Sequence, residues 1–337
     1  MSILTWEAVA EPTDRFPSCH CSVLMERYDG ELLVGYYAGE GEAKPDAAWV
    51  LTRRGQDGFA PLKIVANTEG KPEGNGILVE ARSGELQLIY GTMHGRLDGK
   101  PGPGVRWVTC DLRRKRSNDE GRTWSDADVL DSEWGHVPRC KPVRISNGDL
   151  LFGTEYNDGY SRIWRSRDDA ETWEMIAKVE GEKNQHPTML ECEEGRILGL
   201  LRPSGRQGFV LQTESLDGGE TWSEAAVTGL PSPFAALDAV RLADGRFVVV
   251  WNRNPEERNP LAIGVSEDEG KTWPIRKDLV AGEGRFHYPA AIQTKDGRIH
   301  VTFTNNRVTI DHVVLSLDWL TSAEEGLRWD GSDRQIP

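Results

Sequence analysis

The octet Ser215-Leu216-Asp217-Gly218-Gly219-Glu220-Thr221-Trp222 is the most informative stretch of this chain, because it occurs four times. Its counterparts are Ser117–Trp124, Ser166–Trp173 and Ser266–Trp273. Each reads Ser-x-Asp-x-Gly-x-Thr-Trp, except that Ala170 takes the glycine place in the second copy. The four tryptophans stand 49, 49 and 51 residues apart. Self-similarity at such a period marks a chain built from one repeated supersecondary unit.

A second ladder runs between the octets. Turn dipeptides stand at Asp29-Gly30, Ser83-Gly84, Asn147-Gly148, Glu194-Gly195, Asp244-Gly245 and Asp296-Gly297, flanked by apolar runs such as Leu32-Leu33-Val34 and Phe247-Val248-Val249-Val250. Dipeptides of this kind between apolar runs announce tight hairpins in which both turn residues take positive φ. The unit is therefore strand, turn, strand, loop, strand, octet, and six turn signals give six units. An antiparallel unit of about 50 residues repeated six times predicts an all-β fold, a six-bladed β-propeller of four-stranded antiparallel blades. Residues 1–337 read as one propeller domain, with the strand-like segment at residues 3–10 closing the last blade.

Composition agrees. The 337 residues include 36 glycines and 12 tryptophans, yet only 38% are hydrophobic, which suits short strands joined by many turns. With 40 Lys+Arg against 54 Asp+Glu the net charge is −14. A field of that sign repels phosphate backbones and anionic lipid, so neither nucleic acid nor a membrane surface is an expected partner. No run of apolar residues is long enough to span a bilayer. The start, Met1-Ser2-Ile3-Leu4-Thr5-Trp6-Glu7, shows no signal-peptide pattern. Five cysteines (Cys19, Cys21, Cys110, Cys140, Cys192) form no C-x-x-C pair or zinc pattern. A reduced, cytoplasmic protein without metal or other cofactor is expected. The basic run Arg113-Arg114-Lys115-Arg116 reads as a solvated strand edge.

The octets resemble the Asp-box, or BNR, repeat of the sialidase superfamily. The resemblance covers roughly the whole chain, and it implies a turn between the third and fourth strands of each blade, away from the active site. The chemistry fits a structural part: Asp accepts backbone N–H bonds, Gly supplies positive φ, and Trp packs between sheets. Asp119, Asp168, Asp217 and Asp268 are therefore read as architecture, since an active site is singular and these are four.

Residues at the start of each innermost strand and the end of the next converge on one mouth of a propeller channel. Nine places before the six turn glycines stand Cys21, Asn75, Arg139, His186, Ala236 and Tyr288, with His20 beside the first. Seven places after stand Tyr37, Gly91, Glu155, Arg202, Asn252 and Thr304, with Asn157 and Arg253 close behind. Lys141 and Asp238 occupy the inward position two beyond the first column. Arg139, Lys141, Arg202, Arg253 and Arg307, with His20, His186 and His136, predict a cationic pocket in an acidic protein, suited to a carboxylate. Asn75 and Asp238 are further substrate-binding candidates.

Tyr288 lies in Phe286-His287-Tyr288-Pro289-Ala290-Ala291-Ile292, which resembles the sialidase segment carrying the nucleophilic tyrosine. That part requires a lowered phenol pKa, from a cationic neighbour or from Glu155. Arg202 and Arg253 look like two of the family's three carboxylate-binding arginines. The first arginine is missing from Phe16–Ser22, and the glutamate that steadies it would fall near Thr304. The family's acid/base aspartate would correspond to Glu40, Glu42 or Asp46. His20 and His186 beside Tyr288 and Arg202 also resemble the equipment of propeller lyases that act on uronic acids. A Gly/Pro-rich insertion, Thr92–Arg106, offers a lid bringing Met93, His94 and Trp107 to a sugar face.

These readings imply a sialidase-like, exo-acting glycoside hydrolase on a terminal sialic or uronic acid of a glycan. Tyr288, Glu155, His20 and His186 are its candidate catalytic residues. The alternatives are a uronate-specific lyase or histidine-dependent glycosidase on the same fold, and a non-catalytic glycan-binding propeller.

Overall fold

The hairpins at the six turn glycines set the geometry of the chain. In the computed structural model, which describes residues 3–95, 107–205, 207–332 and 334–335, the glycines take φ between 75° and 98°. Their partners at the preceding turn position do not share the positive φ. At Gly30, the Gly30 N–H donates to the Arg27 carbonyl at 2.9 Å and the Arg27 N–H donates to Glu31 at 2.9 Å. The pattern recurs at Gly84, Gly148, Gly245 and Gly297. These are type I turns closed by a left-handed glycine, which need positive φ at one residue only; the expected two-residue mirror-image turn is corrected.

Each hairpin supplies the first two strands of a sheet, and six sheets result. Blade one comprises Ser18–Glu26, Leu32–Gly39 and Ala48–Gly55, edged by Gly58–Phe59 and Lys63–Ala66. Blade two comprises Glu73–Glu80, Leu86–Met93, Cys110–Ser117 and Asp128–Asp131. In blade three the inner position is shared by Val137–Pro138 and Val143–Arg144, followed by Leu150–Glu155, Arg162–Ser166 and Glu174–Lys178. Blade four comprises Asn184–Glu191, Ile197–Pro203, Phe209–Ser215 and Ala226–Pro231. Blade five runs from Asp238–Arg241 through Phe247–Asn252 and Leu261–Ser266 to Ile275–Gly282, and carries Leu327–Trp329 and Arg334–Gln335 outside it. Blade six is Phe286–Gln293, Ile299–Asn305 and Thr309–Leu315, with Ile3–Ala10 as its outer strand. The molecule is a six-bladed β-propeller.

The apolar side chains collect between neighbouring blades. Leu33 and Leu51 of blade one meet Leu78, Leu86 and Leu88 of blade two. Val248, Val250 and Ile263 of blade five meet Phe286, Val301 and Phe303 of blade six. Because each strand alternates its side chains between two such layers, modest apolar content suffices to fill them.

The octets lie between third and fourth strands. In the third copy, Asp217 Oδ1 accepts from Ser215 Oγ (2.8 Å) and the Thr221 N–H (2.9 Å), and Oδ2 accepts from Thr221 Oγ1 (2.5 Å). Ser215 Oγ in turn accepts the Gly219 N–H (2.8 Å), and Trp222 Nε1 donates to the Gly219 carbonyl (3.0 Å). Gly219 has φ +97°, and a Cβ there would sit 2.8 Å from Leu151 Cδ1. Asp119, Asp168 and Asp268 make the same bonds. These hydrogen bonds saturate the aspartates, which lie in turns of the blades.

Candidate active site

Four inner strands lose register where they enter the channel mouth, between His20 and Val23, Glu73 and Gly76, Gln185 and Thr188, and His287 and Ala290. At three of these bulges a non-glycine residue is held in the left-handed region: Cys21 (φ 60°), His186 (φ 50°) and Tyr288 (φ 48°). A bulge re-aims side chains that ordinary alternation would bury in a blade, and a left-handed non-glycine residue costs roughly 1–3 kcal/mol. Three such positions around one mouth mark where the fold sustains strain.

The bulges open onto a pocket of about 480 Å³. His20, Asn75, Glu155, His186, Arg202, Tyr288 and Arg307 line it, together with Tyr37, Glu42, Trp107, Gln185, Phe234 and Arg258. Tyr288 is its centre. Arg202 donates to the Tyr288 hydroxyl at 2.8 Å. The His20 and His186 rings stand 4.3 and 5.8 Å from the Tyr288 ring. The guanidinium groups of Arg139, Arg202 and Arg258 lie 5.5, 5.7 and 5.6 Å from the ring centre.

Burial raises the Tyr288 phenol above its ordinary value, although Arg202 and Arg258 pull the other way. The resting tyrosine is therefore a neutral phenol, and the expected lowering is corrected. Glu155 faces His186 rather than the tyrosine, with Oε2 3.0 Å from Nε2. The contact lies outside hydrogen-bond geometry, since both ring nitrogens of His186 lack a hydrogen-bond partner. Burial drives His186 down to about 4, with Arg202 and Arg139 adding to it and Glu155 opposing. Burial would raise Glu155, but His186 and Arg202 outweigh it and hold the carboxyl below its usual range. At neutral pH the pair is a carboxylate beside an uncharged imidazole.

Three arginines reach the pocket. Arg202 stacks on Phe234 (3.6 Å), Arg258 donates to His287 Nδ1 (2.9 Å), and Arg307 pairs with Glu42. Glu42 also accepts from Trp107 Nε1 at 2.8 Å. Of the three acid candidates Glu42 alone is among the pocket's lining residues. Asp46 is turned onto the Glu40 N–H (2.8 Å), and Glu40 is exposed. The floor is polar and under-satisfied: His20 Nε2, Tyr37 Oη, Gln185 Oε1 and Arg202 Nε are buried without hydrogen-bond partners. Such groups are costly unless a ligand or water meets them.

Five residues expected at the pocket do not line it: Arg139, Lys141, Asp238, Arg253 and His136. Arg139 is fully buried, donating to the Pro289 carbonyl and supporting the Tyr288 ring from behind. Lys141 binds Asp238 (2.8 Å), which also takes the Thr188 hydroxyl (2.8 Å) and the Ala291 N–H (2.8 Å). That knot joins blades three to six inside the channel. Arg253 follows its strand outward to Asp278 (2.5 Å). Arg258, five residues on, arrives through the loop instead, and no strand ruler could find it. Gln185 and Phe234 were missed likewise, the first because the bulge reverses its facing and the second because it lies on a loop.

His20 Nδ1 meets Thr304 Oγ1 at 3.0 Å. A histidine and a threonine thus touch at the two places where the sialidase resemblance calls for an arginine and its glutamate. Of the expected lid, residues 96–106 lie outside the described residues. Trp107 lines the pocket, Met93 is buried, and His94 pairs with Asp111 (2.7 Å).

A cationic pocket around a buried tyrosine, at one mouth of a six-bladed propeller with Asp-box turns, defines a sialidase-type fold. The chain belongs to the BNR repeat-like domain family, whose model matches residues 30–301. It is 22% identical to the sialidase of Micromonospora viridifaciens over 90% of its own length, and spans 52% of that relative. The Hadza microbial sialidase Hz136 superposes with a TM-score of 0.80 at 20% identity, covering 94% of this chain and 69% of that one. A protein of unknown function from Dyadobacter fermentans DSM 18053 superposes with a TM-score of 0.77 at 17% identity, covering 92% and 99%.

Proposed function

We propose that the protein is a sialidase-like glycoside hydrolase that releases a terminal acidic sugar, sialic or uronic, from a glycan. The observation that carries this reading is the convergence of Arg202, Arg258 and Arg307 on the pocket that holds Tyr288. Three guanidinium groups with one acidic partner among them suit a ligand carboxylate. The unpartnered floor atoms suit sugar hydroxyls, and the sialidase relatives make a glycan the natural substrate class.

In this reading Arg202 and Arg258 hold the substrate carboxylate. Tyr288 Oη attacks the anomeric carbon while its proton passes to the uncharged His186 imidazole, whose cation the Glu155 carboxylate then stabilises. The substrate carboxylate displaces Glu42 from Arg307, Glu42 takes up a proton from solvent, and the bond to the leaving oxygen breaks as Glu42 passes that proton to it. Water then attacks the glycosyl–tyrosine bond, returns a proton to Glu42, and the phenol recovers its own from His186.

A uronate lyase is the second reading, favoured by the uncharged His20 and His186 rings flanking Tyr288. Both are tested by offering sialosides and uronate-capped oligosaccharides and following products by mass and ultraviolet absorbance. A free saturated acidic sugar is the expected product. An unsaturated uronate would establish the lyase instead, and saturable binding without turnover would leave a glycan-binding propeller.

A further inference from the structure

Beside the pocket, on the loop from the blade-two edge strand Asp128–Asp131 to the blade-three strand Val137–Pro138, stand Asp131, Glu133 and His136. One potential ligand atom from each lies within 4.8 Å of the others. Neither carboxylate has a Lys or Arg partner among the described residues; Arg162, the nearby cation, pairs with Asp158 (2.8 Å) and covers the Tyr156 ring (4.4 Å).

Each of the three side chains has one atom tied down and one left over. Asp131 Oδ1 accepts the Glu133 N–H (2.7 Å), leaving Oδ2. Glu133 Oε1 accepts from the Tyr156 hydroxyl (2.5 Å), leaving Oε2. His136 is 1% exposed, and its Nδ1 contacts Thr154 Oγ1 at 3.1 Å. Its other nitrogen, Nε2, has no hydrogen-bond partner and points to Glu133 Oε2, 3.9 Å away. An imidazole fixed through one nitrogen with the other aimed at two carboxylates is how a metal-binding histidine is oriented. Donors about 2.1 Å from a tetrahedral ion stand about 3.4 Å apart, so a small rotation of exposed Glu133 closes the set.

We propose that Asp131, Glu133 and His136 bind a divalent first-row metal ion of the zinc type, leaving one coordination position to water. The imidazole selects against calcium and magnesium, which prefer all-oxygen shells. The ion supplies the missing positive charge and pins the loop that carries Trp134, which stacks on His94 (5.8 Å), and Gly135, which lines the pocket. It is a structural tie on the pocket rim, separate from Tyr288 and the arginines.

The test is calorimetric titration of Zn²⁺, and separately Ca²⁺, into the chelator-treated protein, with melting temperatures measured in parallel. Expected are one Zn²⁺ per chain and a higher melting temperature. Affinity should weaken at least tenfold in Asp131→Asn, in Glu133→Gln and in His136→Gln, and stay unchanged in Glu69→Gln. His136 is buried, so the two carboxylate variants keep the test valid if His136→Gln folds poorly. No stoichiometric Zn²⁺ binding would overturn the proposal, as would tighter binding of Ca²⁺ than of Zn²⁺. Binding unaltered in both carboxylate variants would overturn it too.

Discussion

Tyr288 and Arg202 carry the functional reading at the residue scale, and they separate cleanly from neighbours that only build the fold. Replacing Tyr288 by Phe removes the hydroxyl that Arg202 meets, and Arg202→Ala removes one fork of the carboxylate clamp. Each change is expected to lower kcat/KM by more than about 100-fold on the best substrate found. Circular dichroism should remain that of the parent. Arg253→Ala should alter kcat/KM by less than about twofold, because Arg253 is spent on Asp278 at the surface. Equal losses at Arg253 and Arg202 would refute the site as drawn. Counting from the turn glycines led to His20, Glu155, His186, Arg202 and Tyr288 because the number of residues from turn to channel mouth is nearly the same in these blades, although the strands themselves differ in length. The same count failed at Arg253, one place past its strand end, where the backbone no longer dictates direction. It also failed wherever a bulge inverted the facing, as at Gln185, and wherever a loop turned back over the mouth, as at Arg258. What was hidden in the sequence was therefore whatever depends on irregular backbone.

At the scale of the element, the octet turns show why the architecture was legible. Each is closed by local bonds between residues at most four places apart, so sequence and geometry coincide without tertiary information. The turn glycines were legible for the same reason, although their type was not: a dipeptide does not reveal whether one residue or two take positive φ. Asp217→Ala removes an acceptor from Thr221 and Ser215 and should lower the melting temperature by about 2–4 °C. Turnover should not change, since the turn is not among the pocket's lining residues. A loss of activity without a loss of stability would contradict the structural reading of the octets. The pKa of Asp217 is depressed, to about 2: burial opposes the shift, and the Thr221 and Ser215 bonds outweigh it. The stability it lends is therefore present above the unfolded carboxylate value near 4 and is lost as pH falls toward 2.

For the whole molecule, the decisive titrating groups are buried histidines. Ile3–Ala10 closes blade six through one of them: His312 Nδ1 stands 3.0 Å from Glu7 Oε1, and His312 Nε2 stands 3.0 Å from His300 Nδ1. The carboxylate can only accept, so His312 donates to Glu7 and, uncharged, accepts from His300. Protonating His312 at Nε2 removes the acceptor and breaks this chain. Burial depresses His300 and His287 to about 3 and His186 to about 4, and lowers His20, His136 and His312 as well. A histidine whose folded pKa is depressed lends stability that is complete above its unfolded value near 6.5 and is lost as pH falls toward the folded value. Each contributes a loss of up to about 1.4 kcal/mol per pH unit in that window. Together these losses draw on a typical margin of about 5–15 kcal/mol. The net charge of −14 argues the opposite way, because acidification first reduces self-repulsion and should stabilise the fold. The two effects are separated by melting temperatures between pH 7.5 and 4.5 at constant ionic strength. A steady fall beginning near pH 6.5 is expected, shallower in His300→Gln, which removes one of the titrating rings. A melting temperature that holds or rises to pH 5 would mean that the histidines do not govern the stability of this propeller.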